Sequence, residues 1–180
     1  MSVFNKTQNN SSKLDWRLLM NGSIALYHSD SILKQDMDRL KAYGYQLAVI
    51  DFSIIDTEEM FHELIKEKLV FPEYYGGNLA AFSDCLLYDL EIPETGGIAI
   101  VFTNFDKFYE NNWDFAQELL ERLDLNARRR MLYGERFVTL IQINDRKTVI
   151  EKVGSHNIVW NLKESTHRDK SEKVCVNKSL

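Results

Sequence analysis

Apolar residues recur along this chain in two spacings, continuous runs and helical stripes, and the two alternate. Gln46 to Ser53 (QLAVIDFS), IAIVFTNF after Gly96-Gly97, and FVTLIQI between Arg136 and Asn144 are runs suited to strands covered on both faces. Between them lie stripes at helical period. Met60, Phe61, Leu64, Ile65 and Leu69 follow an Asp56–Glu59 capping pattern, and Trp113, Phe115, Ala116, Leu119, Leu120 and Leu123 mark a later helix. Strands separated by helices predict an α/β fold whose strands pair in parallel through right-handed crossovers.

The flanks are less regular. DWRLLMNGSIALYH, residues 15–28, places two apolar runs around Asn21-Gly22 and predicts a β-hairpin. Asp30 or Ser31 is then placed to cap a helix carrying Ile32, Leu33, Met37, Leu40 and Tyr43, with Gly44 ending it. VIEKV and IVWNL, within 148–162, suffice for one more strand or hairpin packed against the domain. Residues 1–13 and 163–180 are polar and are expected to be disordered, which leaves one domain over 14–162.

The most informative stretch is Phe71 to Leu90, FPEYYGGNLAAFSDCLLYDL. Pro72 disfavours helix at Phe71, so the preceding helix should stop near Val70. Gly76 and Gly77 permit a sharp corner, and Asn78 can accept from the first free amides of a new helix. On that helix Leu79, Phe82, Cys85, Leu86 and Leu90 fall on one side and are expected to face the core. The opposite side carries Ala80, Ala81, Asp84, Leu87 and Tyr88, with Tyr74 and Tyr75 at the corner, where a solvent face would hold several Lys and Glu. Such a smooth face is either a partner surface or one covered by the flanking segments.

YYGGNLAAFSDCL resembles the barstar family, whose hallmark is a YYG-x-N-L-x-A-L-x-D-C-L run at the start of its second helix. The likeness runs back through AVIDFSIIDTEEMFHELIKEKLVFPE to Ala48 and forward, weakly, to about Ile143. The resemblance implies a small three-stranded parallel sheet covered by helices, to which the predicted N-terminal hairpin and helix are additions. It implies an intracellular inhibitor or immunity protein that binds and blocks a ribonuclease-type enzyme or toxin. The alternative is a module of the same fold with a non-nuclease partner. Tyr74, Gly76, Asn78, Leu79, Ala80, Ser83, Asp84, Leu87 and Tyr88 are the implied contact residues, with Asp84 matching the motif's acid beside the core cysteine. Two positions depart from the family's binding face: Ala80 lacks an acid, and Ser83 replaces the motif's tryptophan.

Charge sharpens this picture. The 180 residues carry a formal net charge of −5, but residues 51–143 hold eight Lys or Arg against 18 Asp or Glu, while both flanks are positive. An acidic middle repels nucleic acid and attracts a basic protein; acidity that merely keeps the chain in solution is the alternative. No apolar run approaches membrane-spanning length and the N-terminus lacks a signal-peptide core, so a cytoplasmic protein, monomeric when free and with no membrane or nucleic-acid partner, is expected. Cys85 and Cys175 read as free thiols. Arg128, Arg129 and Arg130 are either favoured by a helix C-terminus or a phosphate contact. His28, His62, His156 and His167 form no metal-ligand spacing, and no phosphate loop or G-x-S-x-G occurs. No catalytic residue, metal or cofactor is therefore expected.

Overall fold

The computed structural model describes residues 13–164. In chain order the elements are α1 (Leu14–Met20), β1 (Ile24–Tyr27), α2 (Asp30–Ala42), β2 (Tyr45–Asp51), a 3-10 turn (Phe52–Ile54), α3 (Glu58–Lys68), α4 (Leu79–Tyr88), β3 (Gly97–Thr103), α5 (Phe105–Asn111), α6 (Trp113–Leu132), β4 (Phe137–Gln142) and β5 (Val159–Trp160). The strands form one five-stranded sheet in the order β2-β3-β4-β1-β5, and every pairing in it is parallel.

The predicted α/β class is what the structure has, and the three expected strands are β2, β3 and β4. The interior strand β3 is buried on both faces: Ile98, Ile100 and Phe102 join the larger core under α3 to α6, while Ala99 and Val101 join the smaller core under α1 and α2. Gly96 and Gly97 start β3 because nothing larger fits. A Cβ on Gly96 would lie 2.0 Å from the Gly44 carbonyl oxygen, and one on Gly97 would lie 2.4 Å from that of Arg136.

The N-terminal hairpin is a correction. Residues 14–20 form α1, because Leu14, Asp15 and Leu18 share one helical face that is buried against α2, β1 and β4. Asn21 closes this helix through its N–H to the Leu18 carbonyl, and Gly22 (φ +109) turns the chain into β1. β1 then pairs with β4 instead of folding back on residues 15–20. Two caps also shift by one residue: Ser29 caps α2, and Thr57 caps α3. Helix α5 appears where the sequence pattern showed only the end of a strand.

β1 and β5 widen the expected three-stranded sheet, and one polar cluster fastens them. Asp36 of α2 is fully buried and accepts from Tyr27 Oη (3.3 Å), Asn161 Nδ2 (2.8 Å) and Lys163 Nζ (2.6 Å). Glu164, 2% exposed, accepts from the backbone N–H groups of His28 and Ser29 and pairs with Arg146. Lys163 and Glu164, placed in the tail by the sequence pattern, thus belong to the packed structure, whereas residues 1–12 and 165–180, with Cys175, lie outside the described residues.

Removing one member of such a buried network strands the others, a cost of about 2–3 kcal/mol. Asn161→Ala is therefore expected to lower the urea unfolding free energy by about that amount, while Asn157→Ala, at an exposed position, stays within about 0.5 kcal/mol of the parent.

Candidate functional site

The Phe71–Leu90 stretch forms a corner and a ten-residue helix held from three sides. Phe71 and Tyr75 anchor the corner in the core with ring centroids 5.1 Å apart, and Phe71 also meets Phe82 at 6.0 Å. Beneath them Tyr75 Oη is hydrogen-bonded to Nδ1 of His62, a histidine 5% exposed on α3. At the start of α4 the Asn78 side chain accepts from Ala81 N–H at 2.9 Å, while Gly77 takes a left-handed φ of +60.

The third hold is Arg130. Its guanidinium, 8% exposed, donates to the carbonyls of Leu86 (2.9 Å) and Leu90 (2.8 Å) and pairs with Glu135 at 2.7 Å. The Leu86 carbonyl in the last turn of α4 and the Leu90 carbonyl just beyond the helix are thereby satisfied by a side chain of α6. Arg130 is therefore structural, Arg128 is paired with Asp124, and Arg129 is exposed.

The structure brings most of the expected contact residues onto one open surface. Tyr74 is 71% and Tyr88 76% exposed, and Gly76, Asn78, Ala80 and Asp84 are exposed beside them. Leu79 and Leu87 are half-buried, with Leu79 and Ala81 packed against the larger core. Two positions differ. Ser83 is 5% exposed and its Oγ accepts from Asn126 Nδ2 of α6 at 2.8 Å, so it faces the helix interface and not a partner. Tyr75 points inward, so the corner presents one tyrosine and buries the other. Cys85, 2% exposed, lies in the core as expected.

Electrostatics on this surface follow from Asp89, which the sequence pattern did not single out. Tyr74 Oη donates to Asp89 Oδ1 at 2.5 Å, and this bond pushes the phenol up to about 12. Burial, followed by the neighbouring Asp89, pushes the Cys85 thiol up to about 11, which removes its reactive thiolate at neutral pH. Burial also lowers the pKa of His62, against a smaller opposing effect from Glu59. Signals for two of the supports were present in the sequence. His62 adjoins the Phe61–Ile65 stripe, and Arg130 continues the Leu123–Ala127 stripe at helical spacing.

Among the described residues no cluster of His, Cys, Asp or Glu is disposed to hold a metal ion, and no helix is long and apolar enough to cross a membrane. The geometry defines an exposed, partly aromatic face on the corner and α4. Residues 45–142, from β2 through β4, match the family model "Barstar (barnase inhibitor)", and the chain belongs to the barstar family. It is 36% identical over 75 residues to a Bacillus subtilis (strain 168) protein named as a candidate ribonuclease inhibitor, YrdF, a match covering 41% of this chain and 76% of that one. Among solved structures, the Aeropyrum pernix ORC2 protein superposes with a TM-score of 0.50 at 14% identity, over 81% of this chain and 42% of that one, a likeness of fold alone. The matched segment leaves α1, β1, α2 and β5 outside it.

The His62 seat makes a pH prediction. A histidine whose folded pKa lies below its unfolded value contributes full stability above about 6.5, and that contribution falls as protons bind the unfolded chain below it. Urea stability is expected to drop between about pH 7 and pH 5, and His62→Gln should flatten that interval. An unchanged slope in the variant would show that His62 is not buried neutral beneath the corner.

Proposed function

We propose that this protein is a cytoplasmic inhibitor, of the immunity type, that binds a basic ribonuclease-type toxin through the corner and exposed face of α4 and blocks it. The observation that carries the reading is the Tyr74–Tyr88 face with Asp84 at its middle, set in a member of the barstar family. Exposed aromatics flanking one acid supply the large, low-entropy anchors on which interface energy concentrates, and the acid pairs with a basic group of the enzyme. The acidic middle of the chain steers such a partner by long-range attraction, and the free inhibitor is a monomer. Its action is occlusion, with no chemistry of its own.

The target is not barnase itself. Ala80, on the same exposed side as Asp84 and one helical turn before it, offers no carboxylate, and Ser83 is engaged with Asn126. Late in α6, Arg130 offers no carboxylate and instead clamps α4. Basic active-site groups of a barnase-like enzyme would be left buried without partners, a cost of several kcal/mol. The cognate enzyme is a diverged one with a flatter, more apolar contact at Ala80.

Co-purification with a tagged chain should recover a basic ribonuclease, and Asp84→Ala should weaken that complex by more than about 1 kcal/mol. Barnase should bind the parent poorly and Ala80→Asp better. Tight inhibition of barnase by the unaltered chain contradicts the target assignment, and recovery of a partner without nuclease activity favours the non-nuclease module.

A further inference from the structure

We infer that the cavity between α1, β1 and β5 binds a short aliphatic monocarboxylate, with Arg17 holding the carboxylate. The three elements lie outside the matched family segment, so this site is independent of the inhibitor reading. The cavity has a volume of about 50 Å³, room for about two groups the size of a water molecule.

Most of its wall is apolar. Leu14 and Leu18 of α1 and Ala25 of β1 line it, and all three are buried members of the smaller core. Ala25 is the one small residue in a strand that reads Ile-Ala-Leu-Tyr, and it stands in register with Val159 of β5. Space remains here because the Ala25 side chain stops at Cβ. Val159 and Leu162, both exposed, add an apolar rim. Such a wall takes an alkyl chain out of water and offers nothing to a fully hydrated ion.

The charged lining sets the sign of the ligand. Asp36, the one carboxylate in the wall, is already matched: Lys163 Nζ and Arg39 stand at one oxygen, and Tyr27 Oη and Asn161 Nδ2 at the other. Arg17 is not. It lines the same cavity, enters no ion pair among the described residues, and its Nε is buried with no hydrogen-bond acceptor. Asp15, two residues before it, is engaged by Arg136 and Tyr45. A guanidinium partly withdrawn from water without an acceptor leaves a deficit that an incoming carboxylate fills with charge-assisted hydrogen bonds. The unmatched charge in the wall is positive, so the ligand is an acid and not an amine.

The test titrates the full chain by NMR with acetate, butanoate, butanol and butylammonium. Butanoate should shift the methyl signals of Leu14, Leu18 and Val159 saturably, bind more tightly than acetate, and bind about tenfold more tightly than butylammonium. Arg17→Gln, checked for folding by circular dichroism, should bind butanoate no better than butanol, while Lys34→Gln, at an exposed cation of α2, keeps the preference. Ala25→Leu should fill the cavity and abolish butanoate binding; if that variant does not fold, Arg17→Gln decides alone. No saturable shift at these methyls, equal binding of butanoate and butylammonium to the parent, or a carboxylate preference surviving in Arg17→Gln overturns the inference.

Discussion

The corner and the exposed face of α4 depend on one buried guanidinium. Arg130 lies under the end of α4, where exposed backbone carbonyls would otherwise need water, and it binds two of them while Glu135 balances its charge. A buried ion pair contributes little to stability compared with a well-packed apolar replacement, but removing one partner costs about 3–5 kcal/mol. Its value here is positional. The guanidinium's fixed fork sets the distance and angle between α4 and α6, and therefore where Tyr74, Asp84 and Tyr88 stand. Asn78 at the other end of α4 and the His62–Tyr75 pair beneath the corner complete the support. The backbone of α4 is thus held at both ends.

The additions outside the family segment act on the opposite side of the molecule. α1 and α2 cover one face of the sheet, and β1 and β5 lengthen it past β4, so β4 becomes an interior strand. Their attachment is polar as well as apolar: Asp36 with Asn161, Lys163 and Tyr27, and Glu164 with the amides before α2. The alternative that flanking segments cover the α4 face fails for the described residues, since Tyr74 and Tyr88 remain open.

What the sequence made legible was whatever depended on local chemistry or strict period. The buried runs of β2, β3 and β4, the Asn78 cap, the glycines before β3 and the inward Cys85 all follow from backbone freedom, hydrogen-bond capacity or helical spacing. What it hid depended on partners distant in sequence. Asn21-Gly22 suits a hairpin, but Leu14 and Leu18 gain more by packing on α2 as a helix. Tyr74 and Tyr75 are chemically identical neighbours, and only the His62 nitrogen 13 residues earlier decides which one is buried. Ser83, an implied contact residue, instead meets Asn126 across the α4–α6 interface, 43 residues away in sequence. The Asp89 contact with Tyr74 likewise joins residues 15 apart through a corner whose path spacing does not specify.

The central claim is that the proposed ribonuclease partner sits on the corner and α4. Hydrogen–deuterium exchange of the chain, alone and saturated with its co-purified enzyme, addresses this directly. Protection on binding is expected in the corner and α4, residues 72–90, with little change in β1, β5 and α2. Protection concentrated on β1, β5 and α2, with the α4 segment unchanged, would contradict it.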